Sequence, residues 1–221
     1  MTILQILIQY RQGFLSGLVV TMHLCAIIWA VGLLGGWLLG IAEARWRRFV
    51  AIPGSIASFI LSGVPVLVLL FWLHYPLQAY LKVVIDPFWT AAGVLSLLNI
   101  FAVAEVVRGV LVDFPKQYLD AARVCGLSEW DATRYITFPI VLRQTLPTLL
   151  MLQVNMLQMS LFASMIGVNE IFRVAQSINS IVYSPVEIYT GLAVFFLAVC
   201  LPLNGLALWL RRRFAWGTSE H

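Results

Sequence analysis

The chain has 221 residues, of which 61% are apolar and only 11% charged, well below the roughly 25% charged residues of an average soluble domain. Its net charge of +4 is gathered in a few short segments instead of the basic stripe that a phosphate backbone demands, so no nucleic-acid partner is expected. Cys25, Cys125 and Cys200 lack CxxC spacing, which leaves small buried hydrophobes as the reading and no disulfide framework or metal site.

Apolar runs long enough for ~30 Å of hydrocarbon fall near residues 14–41, 52–75, 89–112, 142–168 and 187–210. The expected fold class is therefore an all-α integral membrane protein of about five spanning helices. The first run is too long for the core of a cleavable signal and has no Ala-x-Ala site, so it reads as a span. It carries Gly32, Gly36 and Gly40 on one face, a small-residue stripe that lets another helix approach closely; a glycine-lined path is the alternative. Pro65 and Pro202 interrupt the helical pattern of the second and fifth runs and mark kinks. His23 and His74 read as polar residues near the boundaries, and Trp29, Trp37, Trp46, Trp72 and Trp89 in part as interfacial anchors.

Loop charge orients the chain. Arg45, Arg47 and Arg48 follow the first run; Lys116, Arg123, Arg134 and Arg143 lie between or beside the third and fourth; Arg211, Arg212 and Arg213 follow the fifth. The opposite side has Arg11, Lys82 and Arg173. The positive-inside rule then puts the N-terminus outside and the C-terminus in the cytoplasm. Arg211–Arg213 also suit anionic lipid headgroups, though marking the inner face is the simpler account.

The segment 113–140 differs from its surroundings in polarity and reads as two short cytoplasmic helices. Pro115 suits a first helical turn, Gly126 a left-handed helix end, and Ser128 with Asp131 a capping pair. Pro139 is expected to stop the second helix before the chain re-enters the membrane, and Ala121 with Ala122 to present a small-residue surface to a partner's groove.

Asp120-Ala121-Ala122, Gly126 and Pro139 together resemble the EAA coupling loop of permease subunits in ATP-binding-cassette importers. Ser62-Gly63-Val64-Pro65-Val66-Leu67-Val68 is similar to the RGTPLLV segment of the polar amino-acid branch, and Ala104-Glu105-Val106-Val107-Arg108-Gly109 to its AEIxRG segment. Met159-Ser160-Leu161 stands near the place of its TSL segment. The resemblance covers most of the chain and implies a single permease domain over 1–221 with MetI-like type I architecture, in a bacterial cytoplasmic membrane. It also implies two paired permease subunits, a cytoplasmic ATPase dimer seated on their coupling helices, and an external solute-binding protein. ATP and Mg are expected on the partner ATPase. No GxxxxGKS phosphate loop is present in this chain, so it is expected to bind no cofactor and to catalyse no reaction.

Departures from the branch are specific. Ser62 stands for its arginine, Leu69 for a glutamine, Val110 for a glycine, Asp120 for the coupling glutamate, and Leu157 with Gln158 for a Lys-Asp pair. Polar groups are lost from the membrane part while the coupling loop is kept, which favours a heterodimer whose other permease carries more of the solute contacts. Glu105 and Arg108, three apart on one helix face, read either as complements of a zwitterion's ammonium and carboxylate or as a mutual ion pair that orients helices. Gln158 and Ser160 complete the expected path. An opine or an inorganic anion is the closest alternative solute. An ion channel has no TVGYG-like filter here, and an intramembrane hydrolase no GxSxG elbow.

Overall fold

A computed structural model describes residues 3–215; the expected domain limits at 1 and 221 lie outside the described residues. The described chain is helical, in the order α1 (Ile3–Gln9), α2 (Arg11–Arg45), α3 (Ile52–Gly63), α4 (Val66–His74), α5 (Pro76–Leu81), α6 (Pro87–Val112), α7 (Lys116–Val124), α8 (Glu129–Ala132), α9 (Phe138–Met159), α10 (Ile171–Val182) and α11 (Pro185–Ala215). Four stretches are each long and apolar enough to cross a membrane: α2, α6, the continuous helical run Glu129–Ile166 that contains α9, and most of α11.

The expected second span is not one straight helix. Arg47–Gly63 and Val66–Leu81 meet at 95° and make a fifth span only when taken together. The break has a local cause: Val64 precedes Pro65 and is extended, with φ −101° and ψ 124°, because the proline ring excludes helical backbone from the residue before it. Pro202, by contrast, is accommodated within α11, which runs on unbroken.

The glycine stripe is a packing seam. A Cβ added at Gly32 would fall on the Asn99 side chain, one at Gly36 on Val103, and one at Gly40 would lie 2.8 Å from the Ala104 carbonyl oxygen. The backbones of α2 and α6 thus run parallel at a separation that larger residues would forbid. Across this seam Asn99 Nδ2 donates to the Ile28 carbonyl at 3.0 Å and to Gln153 Oε1 of α9 at 2.9 Å. Gln153 Nε2 donates back to Asn99 Oδ1, and Trp29 Nε1 to the Gln153 carbonyl. In lipid an unpaired amide is costly, so this network fixes three helices in one register.

At one end of the bundle α10 closes onto α2. Gly17 lets the start of α10 approach, Thr21 Oγ1 accepts from Ile171 N at 3.1 Å, and Glu170 caps α10 by accepting from Phe172 N and Arg173 N. At the same end, Gln78 of α5 and His74 of α4 bond Thr90 at the start of α6. The arm α3–α5 is otherwise loosely held: α3 has no fully buried residue and α4 only Leu70.

Candidate solute path and coupling surface

Near the opposite end of the bundle, α2, α3 and α6 enclose a cavity of about 250 Å³. Arg108 and Glu105 of α6 both line it, with Glu43 at the end of α2. Of the two alternatives read for Glu105 and Arg108, the mutual ion pair is not formed. Arg108 Nε instead lies 3.4 Å from Glu43 Oε2, since the parallel seam carries the last turn of α2 alongside that of α6. Glu43 is only 5% exposed and Arg108 33%. Gly54 of α3 sits directly over the Glu43 carboxylate, where a Cβ would collide with Oε1. Glu105 is exposed and makes no ion pair with a described residue. One carboxylate thus neutralises the guanidinium while the second faces the open cavity.

The third wall is α3. Ser55, Ser58 and Ser62 recur at helical spacing and line the cavity, so the helix with no buried residue turns a hydroxyl stripe toward the charges. Two site features therefore escaped sequence reasoning: Glu43, which no local pattern singles out, and the serine stripe, whose i, i+3, i+7 spacing was the available signal.

Gln158 and Ser160 do not join this cavity. Gln158 is exposed on α9. Ser160 is fully buried against α2; its hydroxyl donates to the Leu157 carbonyl at 2.7 Å and lies 3.7 Å from Cys25 Sγ.

Of the two short helices expected for the finger over 113–140, α7 is separate, whereas α8 runs on through 133–137 into α9. Gly126, at φ +75°, ends α7: Gly126 N donates to the Arg123 carbonyl and Leu127 N to the Ala122 carbonyl, the paired bonds of a Schellman end. Ser128 caps α8 by accepting from Asp131 N at 3.1 Å. Three details depart from expectation. Pro115 occupies the cap position before α7 instead of its first turn. Ala122 turns inward at 3% exposure, leaving Ala121 as the small residue on the surface. Pro139 does not stop a helix but stands in the first turn of α9, directly after a wide turn over Thr133–Thr137 within one continuous helical run.

Asp120 is exposed, with Arg123 3.7 Å away, a pairing of little energetic weight at such a surface. Val124, the last residue of α7, is 88% exposed, and Trp130, in the first turn of the run Glu129–Ile166, 71%.

Residues 32–216 match the profile of the family described as binding-protein-dependent transport system inner membrane component. The chain is 32% identical over 192 residues to the glutamine transport system permease protein GlnP of Escherichia coli (strain K12), covering 83% of this chain and 86% of that one. It is 27% identical over 212 residues to the octopine transport system permease protein OccM of Rhizobium meliloti, covering 92% and 85%. Among solved structures, an amino acid ABC transporter crystallised with histidines superposes with a TM-score of 0.82 at 26% identity, over 94% of this chain and 96% of that one. The inward-facing MetNI methionine ABC transporter superposes at 0.63 with 20% identity and shares the fold.

Proposed function

The chain belongs to the family of inner membrane components of binding-protein-dependent transport systems, and from that premise we propose that it is the permease subunit of an importer that carries a polar amino acid into the cytoplasm. The observation that carries this reading is the ionic cavity between α2, α3 and α6, where Arg108, held through Nε by Glu43, and Glu105, in no ion pair among the described residues, stand beside the Ser55, Ser58 and Ser62 hydroxyls. A zwitterion presents the complementary pair, its carboxylate toward Arg108 and its ammonium toward Glu105. The names of the glutamine and octopine relatives support the solute class. Competition of labelled glutamine uptake by octopine separates an amino acid from the opine alternative.

Energy comes from ATP, with Mg, on a partner ATPase dimer that receives the finger around Asp120, Ala121 and Gly126, with Val124 and Trp130 as apolar contacts. An external binding protein delivers the solute at the other end, in the orientation with the N-terminus outside. The polar groups lost at Ser62 and Leu69 favour a second, different permease as the other half of the path. Transport by a homodimer reconstituted from this chain alone would rule that out.

Two experiments test the reading. Arg108→Ala reduces uptake while the ATPase still co-purifies; loss of the ATPase from this variant would assign Arg108 to structure. Asp120→Arg combined with Gly126→Arg abolishes co-purification of the ATPase at unchanged expression. Absence of any ATPase from the wild type would remove the importer reading.

A further inference from the structure

A second concave site lies at the end of the bundle remote from the finger. There α1 and the first turns of α2 and α11 form an apolar groove of about 290 Å³. Leu7, Phe14, Leu15, Leu192 and Phe195 supply apolar walls. Two charges stand in the same lining: Arg11, the first residue of α2, and Glu187, in the first turn of α11. They make no ion pair with each other or with any other described residue.

The placement of these charges is informative. Both belong to the first turn of a spanning helix, so they stand where hydrocarbon gives way to headgroups, while the groove continues along the apolar flanks of the same helices. An apolar trough with one cation and one anion at its rim is complementary to an amphiphile bearing a phosphate and an ammonium. We propose that this groove binds one glycerophospholipid with a primary-ammonium headgroup, its phosphate on Arg11, its ammonium at Glu187 and an acyl chain along Phe14, Leu15 and Phe195. A guanidinium suits the phosphate because it donates from several N–H groups at once, and each methylene taken into the groove adds to retention. An anionic lipid without the ammonium satisfies Arg11 but brings its phosphate close to Glu187 with nothing to offset that carboxylate. The charge pair therefore selects headgroups as well as holding them.

Native mass spectrometry of the full chain tests this, after exchange into detergent with equal phosphatidylethanolamine and phosphatidylglycerol of matched acyl chains. The wild type is expected to retain about fivefold more phosphatidylethanolamine. Glu187→Gln brings that ratio to about one, and Arg11→Gln lowers retention of both lipids about fivefold. Equal retention by the wild type, or a preference unchanged in both variants, overturns the proposal. So does a variant that changes oligomeric state while its bound lipid stays the same, which would assign the groove to a second copy of the chain. Helicity and elution volume establish that each variant is folded; should either fail to fold, the wild-type preference decides.

Discussion

The α2–α6 seam and the α3–α5 arm are built from similarly apolar sequence and have opposite characters. Along the seam, Gly32, Gly36 and Gly40 bring two backbones together, and Asn99 with Gln153 locks a third helix to them. In the arm, α3 buries no residue completely and meets the α4–α5 run at 95°. Apolar composition places both in lipid, but the seam has a repeated glycine stripe and paired amides that specify a neighbour, whereas the arm has Gly54 over Glu43 as its one such close approach among the described glycines.

That contrast is open to direct attack. Gly36→Leu drives a side chain into Val103 and the Ile100 carbonyl and is expected to cost about 3 kcal/mol or more, read as loss of the monodisperse peak in detergent. Gly63→Ala, with nothing within 4 Å of the added Cβ, leaves that peak unchanged. Equal sensitivity at the two positions would erase the distinction. Asn99→Leu removes the amide pair and lowers stability by about 1–2 kcal/mol, measured by thermal denaturation.

A smaller effect comes from Glu170, where α10 meets α2. Burial pushes its carboxyl up to about 7, against the downward pull of the Phe172 and Arg173 backbone donors. The native state therefore keeps a proton that the unfolded chain gives up above about 4.5. Stability linked to this group is complete below that value and is lost as pH rises through about 7. Glu170→Gln removes the dependence, so the wild-type melting temperature relative to the variant falls between pH 5 and pH 8; a flat difference would contradict the assignment. The smallest change in stability, within about 0.5 kcal/mol, belongs to the combined Ser55→Ala, Ser58→Ala, Ser62→Ala variant on the arm. Its uptake is nevertheless expected to drop, which radiolabelled solute measures.

Much of this was legible in the sequence where the determining interaction is local. Gly126 announces the end of α7 and Ser128 the start of α8, because a left-handed residue and a capping hydroxyl act within a few positions. The glycine stripe announces a close helix contact but not its partner. Pro65 announces a break, though the 95° angle depends on how both halves pack. Sequence reasoning failed where contacts are remote: Arg108 has a carboxylate available three residues away and yet pairs with Glu43 on another helix. The inward turn of Ala122 was hidden for a related reason, since a short amphipathic helix reveals its buried face only once its neighbours are placed.

The Asn99 clasp also carries information about the order of events during synthesis. Of its two acceptors, the Ile28 carbonyl belongs to a helix already made when α6 emerges, whereas Gln153 is translated later. A lone asparagine amide is poorly solvated by lipid tails, so α6 leaves the insertion machinery most readily in company with α2. This pair is then a half-finished assembly with one amide valence still unfilled until α9 arrives. A chain truncated before residue 153 is therefore expected to be a better substrate for membrane quality control than its hydrophobicity alone indicates.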